Sequence, residues 1–144
     1  MDIFEDAVLT YISAAPGRFV SPQFTIAYEN GIGGSCPDFV VLDFQSSTIY
    51  VAEVTVATNP ATIFSRVLER ETRWFAPLRN DISKLGAVFT SWKYRVTLFI
   101  REEVCDSLRK KTAKMPDVSV ISLDTVVFPW RWHWQGQVAV NPLE

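Results

Sequence analysis

The sequence predicts an α/β fold in which a mixed β-sheet is flanked by helices, in the element order αβββαβαβ. Two observations lead to this fold class. Apolar residues recur at helical spacing near residues 3–12, 61–78 and 102–114, and runs rich in β-branched and aromatic residues lie between these segments. The sequence contains no repeat or Pro/Gly-rich linker, so we expect residues 1–144 to form a single domain.

The composition excludes several classes of protein. With 48% apolar and 21% charged residues the chain reads as soluble and globular, and its formal net charge of −2 argues against a histone-like binder of nucleic acid. Two cysteines are too few for a disulfide scaffold or a Cys-rich zinc site. The first residues lack the basic start of a signal peptide, and no run approaches about 18 apolar residues. We therefore expect a cytoplasmic protein with no membrane contact.

The first helix begins after Asp2, a suitable N-cap, and ends at Pro16-Gly17. Its apolar stripe comprises Ile3, Phe4, Ala7, Val8, Tyr11 and Ile12. The alternating segment Gln23 to Glu29 predicts the first strand, and the glycine-rich stretch after it predicts a break in regular structure.

The next two strands are predicted at residues 36–44 and 48–57, and Phe44 to Ser47 serve as a four-residue hairpin loop between them. The first of them is apolar on both faces in its middle, which is typical of a central strand. The hairpin register then sets these pairs opposite each other: Leu42 and Ile49, Val40 and Val51, and Asp38 and Glu53.

A long helix is predicted from Ala61, and Pro77 should kink it or divide it in two because proline removes an amide donor. A strand at 94–100, a helix at 102–114 and a strand at 118–123 follow. The first three strands are expected to form an antiparallel meander, and the later strands to join it through helical crossovers.

Two opposed carboxylates, Asp38 and Glu53, are the strongest chemical signal. Directly opposed residues of an antiparallel pair share a face, so both side chains can reach one hard cation, Mg²⁺ or Mn²⁺. Thr55 lies on the same face as Glu53, and Glu5 on the first helix would supply a third carboxylate if that helix packs over this end of the sheet. The alternative is that each carboxylate forms an ion pair with an arginine of the long helix or is solvated at the end of the sheet.

The sequence resembles the PD-(D/E)xK nucleases, which have the restriction-endonuclease-like fold and include small Holliday-junction resolvases. The resemblance lies in Pro37-Asp38 after GIGGSC, in Glu53-Val54-Thr55 within IYVAEVT, and in Phe4-Glu5 of the first helix. It implies that Asp38 and Glu53 bind the metal together with the main-chain carbonyl of Val54, and that Glu5 is an accessory acid. It also implies phosphodiester hydrolysis, with DNA favoured over RNA as the substrate.

The sequence departs from that family at Thr55, where the family has a lysine that stabilises the charge of the transition state. Two explanations stay open. In the first, the positively charged side chain is provided by another element and contacts nucleic acid there. The candidates are the ridge formed by Arg66, Arg70 and Arg73 at i, i+4 and i+7, and Lys93. Otherwise the chain is a catalytically inactive module that binds a protein or a nucleic acid. For the arginine ridge, a solvated helix face with a Glu69 to Arg73 pair is the simpler interpretation.

The C-terminal segment, residues 126–144, is rich in aromatic residues and contains PWRWHWQ. In an extended conformation its three tryptophans share one face, which suits packing on the domain or across a homodimer better than base stacking. His133 is the only histidine, so a multi-histidine metal site is excluded.

Overall fold

The computed structural model describes residues 1–28, 31–128 and 142–144. Its helices are α1 (Ile3–Ser13), α2 (Ala61–Leu68), α3 (Ala76–Ser83), α4 (Glu102–Lys111) and α5 (Leu123–Val127). Its strands are β1 (Arg18–Pro22), β2 (Ile26–Ala27), β3 (Gly34–Ser35), β4 (Phe39–Asp43), β5 (Thr48–Thr55), β6 (Lys93–Ile100) and β7 (Val118–Ser122). None of the helices in the described ranges is long and apolar enough to cross a membrane.

A five-stranded sheet in the order β1-β4-β5-β6-β7 forms the centre of the structure. The strands β1, β4 and β5 pair antiparallel, whereas β5, β6 and β7 pair parallel. Helices α2 and α3 lie between β5 and β6 along the chain, and α4 lies between β6 and β7. The predictions of a mixed sheet flanked by helices and of helical crossovers are confirmed, whereas the antiparallel part of the sheet starts with β1 and not with the strand predicted there.

The two faces of the sheet bury separate apolar cores. One core lies between the sheet and helices α2, α3 and α4, and its largest fully buried side chain is Trp74. The other core lies between the sheet and helices α1 and α5, and includes Tyr11 and Phe99 in edge-to-face contact. Because successive residues of a strand point to opposite faces, β4 and β5 contribute alternate residues to the two cores.

The register of the central hairpin is the predicted one. Val40 lies opposite Val51, and Leu42 lies opposite Ile49. The ladder ends with Phe39 opposite Ala52. Asp38 and Glu53 therefore occupy the next step of the same register.

The first strand lies elsewhere than predicted. Strand β1 spans residues 18–22, and the chain turns at Gln23, where φ is +50°. Part of the predicted strand forms β2, which pairs with β3 in a small separate hairpin. This pairing is close: a Cβ on Gly34 would lie 2.3 Å from the carbonyl oxygen of Ile26, so the glycine-rich stretch provides a short strand where we predicted a break.

The long helix is divided, as predicted from Pro77. Helix α2 ends at Leu68, a π-helical turn covers Glu71–Phe75, and α3 starts at Ala76 with Pro77 in its first turn. A proline is tolerated there because the first amides of a helix have no partner within it. The amide of Ala76 donates to the carbonyl of Glu71, which closes the wider turn.

Residues 142–144 pack on the face of the sheet that α1 covers. The hydroxyl of Tyr11 donates to the carbonyl of Pro142 at 2.9 Å, and that of Thr97 donates to the carbonyl of Leu143 at 2.7 Å. The side chain of Leu143 is buried in the same core. The aromatic stretch PWRWHWQ lies outside the described residues, so its role in a homodimer stays a prediction.

We expect Thr97→Val to lower the free energy of unfolding by about 1–2 kcal/mol, because the valine leaves the buried carbonyl of Leu143 without its donor. Urea denaturation measures this change. The matched control is Thr10→Val, whose hydroxyl bonds an exposed helical carbonyl and whose loss should cost less than about 0.5 kcal/mol. Equal effects of the two substitutions would show that the contact with Leu143 contributes nothing.

Candidate active site

Asp38 and Glu53 meet at the end of the β4–β5 hairpin. The amide of Val54 donates to Oδ2 of Asp38 at 2.7 Å, and the amide of Asp38 approaches Oε2 of Glu53 at 3.4 Å. Each carboxylate thus bonds the backbone of the opposite strand, one step beyond the regular ladder. The two side chains lie side by side on the face of the sheet that α2 covers.

Burial makes this pair electrostatically unusual. Glu53 is only 6% exposed, and burial raises its pKa to about 8, an effect to which the neighbouring Asp38 carboxylate adds. The guanidinium of Arg66 opposes the shift. At neutral pH Glu53 therefore keeps a proton that a bound cation would displace.

Glu5 reaches the same end of the sheet from the first turn of α1. Its carboxylate accepts from the amide of Asp2 at 2.7 Å, while its own amide donates to the Asp2 side chain at 2.8 Å, so the two residues form a capping box. The Asp2 amide lowers the pKa of Glu5, but loss of solvent and the Asp38 carboxyl group outweigh it and raise the pKa overall. Glu5 is thus beside Asp38, with its direction set by the helix cap.

The donor set fits a cation only in part. Among the described residues, no group of three or more His, Cys, Asp or Glu side chains is arranged to hold a metal ion. Asp38 and Glu53 are two hard oxygen donors, and Mg²⁺ commonly binds through one or two carboxylates together with water and substrate phosphate. The carboxylate site, as we name Asp38 and Glu53 with Glu5 beside them, matches that smaller donor set.

The positive charge nearest to Glu53 in this site comes from α2. Arg66 Nη1 lies 3.8 Å from Oε1 of Glu53, and 43% of the arginine side chain is exposed. Thr55 lies two residues after Glu53, and its hydroxyl accepts a hydrogen bond from the amide of Ala57 at 3.2 Å. Arg66 therefore brings a charge that Thr55 lacks.

The predicted arginine ridge is not one surface, because the helix is divided after Leu68. Arg70 forms two hydrogen bonds with Asp117, at 2.6 and 3.0 Å, and points away from the carboxylate site. Arg73 lies 3.7 Å from Glu69, the pair that the sequence predicted.

Arg66 and Arg73 nevertheless line one groove of about 410 Å³ beside the carboxylate site. The groove also contains the hydroxyl-bearing residues Thr62 and Ser65, which the sequence analysis missed. The sequence does contain a signal for this groove, since helical spacing places four of its residues on one face: Thr62, Ser65, Arg66 and Glu69. Two arginines and two hydroxyl groups are donors that suit phosphate oxygens.

Lys93 is too far from the carboxylates to provide a positive charge beside them, which corrects that prediction. In the parallel pairing of β5 with β6, Lys93 lies opposite Thr48 and Leu98 lies opposite Glu53. Five residues of strand separate the two positions, about 16 Å at 3.3 Å per residue. The misassignment arose because the sequence does not show at which end of β6 the site lies.

No protein-family model, curated protein or solved structure matches this chain. The features of the chain that bear on its function are therefore the carboxylate site, the arginine next to it and the groove on α2.

We expect the free energy of unfolding of the wild type to fall between pH 5 and pH 8, by about 1 kcal/mol or more, in buffers that contain a chelator. The folded protein keeps the Glu53 proton up to a pKa of about 8, whereas the unfolded chain releases it near the ordinary value of 4.5, so rising pH favours unfolding. Glu53→Gln cannot ionise and should reduce this fall. Urea denaturation at the two pH values measures it.

The matched control is Glu102→Gln, which changes an exposed glutamate at the start of α4 and should leave the wild-type pH dependence intact. If Glu53→Gln and Glu102→Gln show the same fall as the wild type, Glu53 is not the group that holds the proton.

Proposed function

We propose that this protein is a metal-dependent nuclease of the PD-(D/E)xK type, which uses Mg²⁺ or Mn²⁺ to hydrolyse phosphodiester bonds in DNA. One observation carries the proposal: Asp38 and Glu53 are held side by side at the end of an antiparallel hairpin, and burial of Glu53 raises the pKa of its carboxyl group. Burying a carboxylate without a partner is costly, so such a pair favours a binding role over a purely structural one.

The topology supports this assignment. A helix precedes an antiparallel meander, the acidic residues lie at the end of its second and third strands, and parallel strands follow through helical crossovers. This is the arrangement that the resemblance implies for a restriction-endonuclease-like fold. Ligands of open α/β sheets bind at the carboxyl ends of the parallel strands. Glu53 lies near the carboxyl end of β5, and Asp38 directly precedes β4 at the same edge of the sheet.

Each residue has a distinct task in the proposed reaction. Asp38, Glu53 and the carbonyl of Val54 would hold the cation, which polarises the phosphodiester and lowers the pKa of the attacking water. Arg66, 3.8 Å from Glu53 and partly exposed, replaces the lysine by stabilising the negative charge that develops on the phosphate. It does not act as a base, because an arginine stays protonated.

The groove on α2 gives the substrate a path to this site. Arg66 and Arg73 and the hydroxyls of Thr62 and Ser65 are suited to neighbouring phosphates of one strand. A groove of this kind contacts the backbone and does not read bases. The proposed substrate contact is therefore local, which is compatible with a chain of net charge −2.

The second candidate function is an inactive nuclease-like module that binds a protein or a nucleic acid. The presence of Thr55, where the PD-(D/E)xK nucleases have a lysine, favours this inactive module. The capping box that directs Glu5 also favours it, because this contact competes with a role for Glu5 at the metal. Metal binding separates the two candidates.

We expect calorimetric titration at pH 7 to show binding of about one Mn²⁺ per chain, accompanied by release of a proton to the buffer, because the cation displaces the proton of Glu53. Asp38→Asn should abolish this binding and Mn²⁺-dependent cleavage in a screen of branched, duplex and single-stranded DNA. Buffers with different ionisation enthalpies measure the proton release.

The matched control is Asp106→Asn, which changes an almost fully exposed aspartate on α4 and should bind metal as the wild type does. Cleavage that persists in both Asp38→Asn and Glu53→Gln would contradict the nuclease assignment. A wild type that binds no Mn²⁺ and cleaves none of these substrates would favour the inactive module.

We expect Arg66→Ala to lower the rate of cleavage about 100-fold while Mn²⁺ binding persists, since the loss of one group that stabilises transition-state charge commonly has this effect. Arg66→Lys should recover part of the rate because it restores the charge. Single-turnover cleavage at saturating Mn²⁺ measures both variants.

Arg109→Ala is the matched control, because this arginine of α4 is half-exposed and also lies near a carboxylate. It should cleave at the wild-type rate. Full activity of Arg66→Ala would show that the charge comes from another residue.

A further inference from the structure

A second cleft lies at the opposite end of the sheet. It has a volume of about 580 Å³ and opens between the π-helical turn, α3, the first residues of β6 and the loop before β7. Its charged lining residues are Arg70, Glu71, Arg79, Lys93, Arg95 and Asp117. We name it the basic cleft. Its volume falls within the range of about 300–1,000 Å³ that is typical of small-molecule sites.

The charge of the basic cleft is opposite in sign to that of the whole chain. Four basic residues and two acidic residues line it, whereas the chain has a net charge of −2. The acids hold two of the arginines in fixed directions, since Asp117 bonds Arg70 and Glu71 bonds Arg79. An excess of positive charge on oriented donors is suited to an anion.

Lys93 is the basic residue of this cleft that the fold leaves available. Its side chain is exposed and has no hydrogen bond or ion pair with any residue in the described ranges. Arg95 is engaged at two points, because its Nη2 donates to the hydroxyl of Ser119 and its Nε lies 3.2 Å from a carboxylate oxygen of Glu144. An ammonium group at the opening of a basic cleft is a ready contact for phosphate.

The remaining wall is aromatic. Phe75, Trp92 and Tyr94 line the cleft, and the guanidinium of Arg79 lies 5.0 Å from the ring centre of Tyr94. The ring of Phe75 packs 5.6 Å from that of Tyr94. A planar guanidinium fixed over an aromatic ring presents its outer face for stacking by another planar group.

The backbone that forms this wall is itself unusual. Glu71 and Phe75 are the first and last residues of the π-helical turn, and both line the cleft. Such turns are rare and are frequent at functional sites. Here the turn brings the carboxylate that orients Arg79 and the ring that supports Tyr94 to one wall.

We propose that the basic cleft binds a nucleoside phosphate, with the phosphate at Lys93 and the base stacked on the outer face of Arg79. The ligand is either a free nucleotide or the phosphorylated terminal nucleotide of a strand, since both present the same chemistry. The proposal does not depend on nuclease activity, because the cleft and the carboxylate site lie at opposite ends of β6.

Calorimetric titration of the full chain with AMP, ribose 5-phosphate, inorganic phosphate and a 5′-phosphorylated oligonucleotide tests this proposal. We expect AMP to bind more tightly than the two ligands without a base. Lys93→Ala should weaken AMP binding about tenfold, as the loss of one charge-assisted hydrogen bond does. Arg79→Met should weaken AMP more than inorganic phosphate, because it removes the stacking surface.

Lys110→Ala, an equal loss of charge on exposed α4, and Asp38→Asn, which changes only the carboxylate site, should bind AMP as the wild type does. Binding of the oligonucleotide alone assigns the cleft to a strand end, and binding of AMP as well assigns it to free nucleotides. The proposal is overturned if none of the ligands with a base binds. It is also overturned if Lys93→Ala binds AMP normally, or if Asp38→Asn abolishes the binding.

Discussion

The antiparallel pairing of β4 with β5 is the constraint on which the rest of the structure depends. It sets the register that fills both cores, since alternate residues of the two strands point to opposite faces. The same register continues through the bond from the Val54 amide to Asp38 and fixes the distance between two carboxyl groups. A slip of one residue would turn Glu53 toward the opposite core, so the site and the core depend on the same register.

Charge is distributed unevenly between the two ends of this sheet. At one end burial raises the pKa of Glu53, and the guanidinium of Arg66, 3.8 Å away, opposes this shift. At the other end four basic residues outnumber the acids. The two carboxyl groups and the cleft lined mainly by basic residues thus lie at opposite ends of the sheet, although the net charge of the chain is small.

Division of the long helix determines which arginines are available to each end. A continuous helix would align Arg66, Arg70 and Arg73 on one ridge. In the structure α2 ends at Leu68, Arg66 lies beside Glu53 and Arg70 pairs with Asp117, while the π-helical turn carries Glu71 into the basic cleft. A single backbone feature therefore links the two sites, and it requires one additional residue in a helical turn.

The sequence by itself determined the features that depend on neighbouring residues. The capping box of α1, the hairpin register that opposes Asp38 to Glu53 and the break at Pro77 follow from local spacing and backbone chemistry. Only the tertiary structure decided the position of β1, the distance of Lys93 from the carboxylates and the pairing of Arg70 with Asp117. These features join segments that are far apart in the chain, so they depend on how strands and helices pack rather than on any local pattern.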